Sequence, residues 1–342
     1  MKTRILIILF CLLFVSTQVQ AQFIKNVSKV GTSAAPFLTV EVGSRALAMG
    51  GAFVAVANDA TALYWNPGGV ARLPRTMVIL NHSEWIADIS FDFAGIAIPL
   101  SNADAIGLSV TSLTMDEMKV RTVFYPEGTG ENFGAADLAI NGTYARSLTD
   151  RFSIGFSGKY IQQKLWHMTS SAFAVDVGIL FNTQFKDMKL GMSISNFGSK
   201  MRLEGIDTQV THDVNESKAG NNDKIIAHLQ TDKWSLPLTF RFGIALDVLK
   251  TARNHILFAL DAVHPSDNVE YLNVGMEYGL NKNIFLRAGY KTLFLRDSEE
   301  GLTLGAGLAY ELMGRVNLHI DYAYLDFGIL DNVQRFSLGF DF

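Results

Sequence analysis

Phe336-Ser337-Leu338-Gly339-Phe340-Asp341-Phe342 alternates strictly along its length. Successive side chains of an extended strand point to opposite faces, so Phe336, Leu338, Phe340 and Phe342 share one face and Ser337, Gly339 and Asp341 the other. A strand with aromatics on one side and small or polar groups on the other, ending on Phe, suits the closing strand of an outer-membrane barrel. The edge strand of a soluble sandwich is the competing reading, and the rest of the chain discriminates between them.

The alternation recurs. Phe152, Ile154, Phe156 and Tyr160 interleave with Ser153, Gly155, Ser157 and Lys159. Phe173, Val175, Val177, Ile179 and Phe181 interleave with Ala174, Asp176, Gly178 and Asn182, and Val316, Leu318, Ile320, Tyr322 and Tyr324 with Asn317, His319 and Asp321. From Thr76 onward there are about fourteen such segments, each with an apolar face for lipid and a mixed polar face for a lumen. Apolar residues make up 49% of the chain, with 29 Gly and 7 Pro. Past the N-terminus no apolar run approaches the roughly 18 to 20 residues of a membrane helix. The predicted fold is all-β: a transmembrane antiparallel β-barrel of about fourteen strands, twelve or sixteen being the alternatives.

Connection lengths carry a second pattern. Tight turns are expected near Asn102, Thr149-Asp150, Lys186-Asp187, Thr251 to Asn254, Asn281-Lys282 and Met313-Gly314. Between them fall connections of uneven length, including Met115 to Asn132 and Ser199 to Lys233. Short turns thus follow even strands and longer connections odd ones, as in bacterial barrels with an even strand number and both termini in the periplasm. A sandwich gives no reason to sort loops by parity.

Lys2 and Arg4 precede an apolar run from Ile5 to Val15, and small residues near Ala21 offer a cleavage site. Residues 1–21 are expected to be a secretory signal peptide. Cys11, the only cysteine, lies within it, so the exported chain has no disulfide framework. Losing Lys2 and Arg4 takes the formal charge from −4 to −6, too mild to imply a nucleic-acid partner.

Residues 22–75 read differently from the barrel, residues 76–342. Ser44 to Phe53 is a short turn broken by Gly50-Gly51, with small residues that allow close packing. Asn58-Asp59 is a cap for a helix through Thr61 to Tyr64, which Asn66-Pro67-Gly68-Gly69 would end. A fourteen-stranded barrel is wider than its own wall side chains can fill, and this compact, Gly-rich segment suits a short helical hatch in the lumen. An ordinary periplasmic extension is the alternative.

The run Pro36-Phe37-Leu38, Gly43-Ser44-Arg45-Ala46, Met49-Gly50-Gly51-Ala52, Asn58-Asp59-Ala60 and Tyr64-Trp65-Asn66-Pro67-Gly68-Gly69 resembles the PorV/PorQ family. These are FadL-like outer-membrane proteins of the Bacteroidetes. The motif covers roughly residues 31 to 73. The family typically has Ala where Gly68 or Gly69 stands, a small departure in a turn. The resemblance implies a FadL-like barrel of fourteen strands with an N-terminal hatch. It also implies a role in type IX secretion, with partners in the outer-membrane lipid bilayer, secreted cargo proteins and a surface attachment complex. The wider FadL-like family implies an alternative, passage of hydrophobic small molecules across the outer membrane. The matched residues are Gly43, Arg45, Met49, Gly50, Gly51, Asp59, Asn66 and Pro67, expected to shape the hatch.

No catalytic constellation, cofactor motif or metal-ligand spacing emerges, and no enzyme activity is expected. The seven histidines lie far apart. Gly155-Phe156-Ser157-Gly158 and Gly305-Ala306-Gly307 fall within strand patterns, without the strand-to-helix turn of a nucleophile elbow or phosphate loop. The acidic stretch Gly205 to Lys233 lacks EF-hand spacing and reads as a solvated outer loop. The predicted inward charges are Asp137, Lys159, Asp176, Asp247, Asp261, Arg287, Lys291, His319 and Asp321. Lys159, Asp176, Arg287 and Asp321 are the candidates to steer a solute or grip the hatch, with Arg45 and Asp59 meeting opposite charges. A lumen also carries charge at little cost, whereas lipid-facing charge costs about 2 to 4 kcal/mol near the midplane. Trp85, Trp166, Trp234 and Tyr290 are expected in the interfacial girdle.

Overall fold

The computed structural model describes residues 29–214, 217, 224–296, 298–312, 314 and 316–342. The signal-peptide expectation lies outside them, as do the first residues of the hatch, Met313, and Asn215, Glu216, Asn221, Asn222 and Asp223 of the long acidic connection.

Fourteen antiparallel strands close on themselves. They are β1 (Met77–Trp85), β2 (Ile89–Pro99), β3 (Asp104–Thr114), β4 (Ala135–Ser147), β5 (Phe152–Leu165), β6 (Met168–Asn182), β7 (Lys189–Gly198), β8 (Thr239–Lys250), β9 (Asn254–Pro265), β10 (Tyr271–Leu280), β11 (Ile284–Leu293), β12 (Leu302–Leu312), β13 (Val316–Asp326) and β14 (Asn332–Asp341). Each pairs with the next. β14 returns to β1 with Asp341 opposite Met77 and Gln334 opposite Glu84. Closure leaves no strand edge, and a bilayer demands this because its core offers no water to unpaired backbone groups.

The alternation sorts as expected. On β5 and β6, Ser153, Ser157, Lys159 and Asp176 are buried inside while Phe156, Phe173 and Val175 are exposed outside. All the charges expected to face inward do so. Trp85 does not join the girdle. It shares the parity of the inward residues Ile79, Asn81 and Ser83, and its ring meets Phe327 with centroids 5.5 Å apart and Arg335 at 6.0 Å. Trp166 stacks on His167 in a tight turn, Tyr290 faces outward, and Trp234 stands in a connection off the strands.

Residues 100–103, 148–151, 183–188, 251–253, 281–283 and 313–315 join strands at one end, the turn end. At the other, the loop end, residues 115–134 and 199–238 form long connections with small hairpins of their own. The length rule is weaker than expected, because the loop-end connections 86–88 and 166–167 are shorter than the turn 183–188. Ala87, Asp88 and Trp166 have positive φ, so these two are tight hairpins. Antiparallel order fixes which end a connection occupies; nothing forces it to be long.

The N-terminal segment threads the barrel from loop end to turn end. The Lys29 N–H donates to the Asp267 carbonyl in connection 266–270, and Ser33 bridges Ser235. At the far end Arg72 donates to the carbonyls of Thr149 and Asp150. Phe342 lies at the turn end, its N–H donating to the Thr76 carbonyl, while Lys29, the first described residue, lies at the loop end. Between them lie α1 (Ser44–Ala48), α2 (Ala62–Trp65) and α3 (Pro67–Val70). Asn66 ends α2 as anticipated but also starts α3. Its side chain accepts from the Gly68 N–H at 3.0 Å, and Pro67 fills the first helical position, where its missing N–H costs nothing. From Val42 to Val70 every residue is buried except Arg45, Asn58, Asp59 and Tyr64. The core of the molecule is therefore this segment inside the barrel.

Candidate functional site

The seat of the inserted segment begins with what the wall lacks. Three pairs of inward glycines face each other across neighbouring strands: Gly155 and Gly178, Gly191 and Gly243, Gly275 and Gly289. Each makes a slot for backbone. A Cβ on Gly178 would lie 2.7 Å from Pro67 Cδ, one on Gly191 2.6 Å from Ala55 Cα, and one on Gly275 2.8 Å from Met49 Cβ. The segment answers in kind at Gly50, where a Cβ would lie 2.7 Å from the Tyr290 nitrogen and the Val274 oxygen. Gly50 and Gly51, at φ of 65° and 73°, also make the left-handed turn after α1 that a side chain would strain.

Polar groups fasten what the slots admit. The Asn66 amide donates to the carbonyls of Val54 (2.8 Å) and Ile179 (2.9 Å), tying both halves of the segment to β6. Asp261, fully buried on β9, accepts the N–H groups of Phe53 (2.8 Å) and Val54 (2.9 Å). The Ser153 hydroxyl donates to Gly68 and that of Thr303 to Ala48.

Towards the turn end the fastening is ionic. Arg45 meets Glu277 through two bonds, Nε to Oε2 at 2.8 Å and Nη2 to Oε1 at 2.9 Å. Arg287 meets the same carboxylate at 2.7 Å and Asp321 at 2.6 Å. Arg45 also reaches Asp59 at 3.2 Å and the Asn58 side-chain oxygen at 2.7 Å. This network borders a turn-end cavity of about 300 Å³ that also touches His255, His319 and Asp341. A second network joins Glu41 of the segment to Lys291 at 3.2 Å, and Lys291 to Glu300 at 2.8 Å, while Arg335 donates to the Glu41 carbonyl.

Of the candidate residues, Arg45, Asp59, Arg287 and Asp321 come together in one network, and Met49, Gly50, Asn66 and Pro67 line the glycine slots. Gly43, at φ 89°, precedes α1, and Gly51 lies against Glu41 and Asn273. Lys159 and Asp176 stand apart from that network. They pair with each other at 2.6 Å, and Asp176 accepts the N–H of Asn196 at a bulge of β7. Sequence reasoning missed Glu277, Glu41, Arg335 and the wall glycines. Glu277 and Arg335 sit at inward parity on β10 and β14, so the alternation itself carried that signal.

A closed fourteen-stranded β-barrel with inward charge, an apolar outer face and its own N-terminal segment packed in the lumen is a transmembrane barrel of FadL-like fold. The architecture is similar to that of the CymD monoaromatic hydrocarbon channel (12% identity, TM-score 0.56, covering 88% of this chain and 97% of that one). The Ralstonia pickettii toluene transporter TbuX (11%, 0.54, 89% and 98%) and a Pseudomonas aeruginosa FadL homologue (12%, 0.51, 86% and 96%) share it. Likeness at this identity speaks to the fold alone. The chain belongs to the PorV family: the family model described as type IX secretion system protein PorV matches residues 23–261. No curated protein matches.

Proposed function

We propose that this protein is a non-enzymatic carrier or docking component of type IX secretion, which binds exported proteins and cell-surface partners at the loop end. In this reading the turn end is periplasmic and the residues 22–75 are a fixed hatch. Membership of the PorV family supports the secretion role. The observation that carries the mechanism is the seat: from Val42 to Val70 the segment is buried, slotted against wall glycines and tied by ion pairs. A lumen filled this way leaves the outer connections as the surface for recognition, and loops on a rigid scaffold are where binding residues concentrate. Phe124 and Tyr125, 88% and 62% exposed in connection 115–134, are aromatic anchors of the kind that protein interfaces use.

One observation favours transport of hydrophobic molecules instead. An apolar hollow of about 310 Å³ opens beside the β10–β11 bulge, lined by Phe240, Ala262, Leu272, Leu293 and Phe294. Affinity purification of the tagged protein from gently solubilised outer membranes, with bound proteins and lipids both identified by mass spectrometry, separates the readings. Secreted proteins sharing a C-terminal sorting domain are the expected catch. Fatty acids or similar apolar molecules without a protein partner would favour the transporter.

A further inference from the structure

A separate cavity of about 430 Å³ lies at the loop end, where the start of β4 and the loop ends of β5 and β6 meet connection 199–238 and the entering segment near Ser33. That volume is in the range of small-molecule sites. Its lining divides by chemistry. On one side stand Trp234, 49% exposed, and Met201. On the other stand Asp137, Gln163, Ser170 and, at the rim, Lys164.

The polar side is built. Gln163 is held from two directions: its Oε1 accepts the Ala35 N–H at 2.9 Å, and its Nε2 donates to Asp137 Oδ2 at 3.0 Å. Asp137 is thereby fixed with its second oxygen left for a ligand. Ser170 is 6% exposed, and its Oγ is buried with no hydrogen-bond partner. Native structures rarely leave a buried hydroxyl unpaired, and Ser170 lies in the cavity wall, where the oxygen of a ligand or of an ordered water would pair it.

We infer that this cavity binds a neutral saccharide, one sugar ring lying against Trp234 with its hydroxyls on Asp137, Ser170 and Lys164. Asp137 and Lys164 balance in charge, so neither an anion nor a cation is favoured. A purely apolar ligand would strand the carboxylate and the Ser170 hydroxyl, which is costly. A pyranose has what both walls ask for: an apolar C–H face for a ring that is itself apolar with a polar edge, and hydroxyls around its rim. The source is either a free oligosaccharide or the glycan of a surface glycolipid.

The test uses the full-length protein in detergent, titrated with glucose, galactose, mannose, N-acetylglucosamine and their disaccharides while tryptophan fluorescence and binding heat are followed. Lipid-linked glycans in nanodiscs form a second arm. At least one sugar is expected to bind. Trp234→Ala should weaken it by about tenfold or more, as for an aromatic anchor, and Ser170→Ala several-fold. Trp234→Phe should keep most of the affinity, and Trp166→Ala, outside the cavity, all of it. Binding only to soluble sugars identifies a free ligand, and binding only in nanodiscs a glycolipid. Failure of every sugar in both arms overturns the inference. So does sugar binding that survives both Trp234→Ala and Asp137→Asn in protein that retains its folded, heat-modifiable gel mobility.

Discussion

The seat of the inserted segment and the connections at the loop end follow opposite rules. In the seat, side chains are deleted to glycine where backbones meet, Arg45, Glu277, Arg287 and Asp321 form one ion-paired network, and little is exposed. At the loop end, connections range from residues 166–167 to residues 199–238, and Val123, Phe124 and Ile329 stand 95%, 88% and 85% exposed. Exposed large apolar side chains also stand at the turn end, at Leu100, Leu148 and Phe185, but the adjacent Val123, Phe124 and Tyr125 make a contiguous apolar stretch of the kind that marks an interaction surface. The contrast separates what must not change from what is free to vary: the seat fixes the segment against the wall, and under the proposed function the connections are the face offered to other molecules.

Breaking the seat should give the largest effect. Glu277 is the one carboxylate shared by Arg45 and Arg287, and it is buried. Glu277→Ala leaves two guanidinium groups short of a partner, and breaking a buried pair costs about 3 to 5 kcal/mol. Urea unfolding in lipid vesicles should show a loss of that order, and protease should cut the segment sooner than in the parent protein. A loss below about 0.5 kcal/mol, the range of ordinary surface substitutions, would show that the ion network does not hold the segment.

Next in size is a test of the slots with an internal control. Gly178→Val drives a side chain into Pro67, and overpacking of this kind costs about 1 to 3 kcal/mol. Gly158→Val, on the outward face with nothing within 4 Å of its Cβ, should be tolerated. Conductance in planar bilayers gives the second readout: Gly178→Val should raise it by displacing the segment, and Gly158→Val should not. A smaller effect is expected from Ser153→Ala, which removes the hydroxyl donated to Gly68 at 2.8 Å. The loss is about 1 kcal/mol, the net worth of one hydrogen bond.

The sequence revealed the wall far better than the seat. Alternation in β5, β6, β11 and β13 reports a face directly, and it placed Lys159, Asp176, Arg287 and Asp321 inside without further information. The motif from Gly43 to Pro67 pointed to the segment. The slots depend instead on register. Gly155 and Gly178 meet only because the β5–β6 hairpin sets Phe152 opposite Phe181, and no local pattern announces that pairing. Trp85 was misplaced for a related reason: an aromatic near a strand end suits a membrane girdle, but parity put it inside, over Arg335.

The smallest effect on stability, and the most informative for function, belongs to the loop end. Phe124→Ser with Tyr125→Ser removes two exposed aromatics whose surroundings are solvent, so stability should stay within about 0.5 kcal/mol of the parent. Recovery of secreted proteins in the affinity purification should nevertheless fall, because aromatic anchors carry a disproportionate share of interface energy. The pairing of the two readouts is what sharpens the comparison. Lost stability without lost capture would place Phe124 and Tyr125 with the scaffold. Unchanged stability with unchanged capture would move recognition to connection 199–238, the other long loop-end surface. Unchanged stability with lost capture would assign connection 115–134 the recognition role, on a barrel whose filled lumen has left that task to its loops.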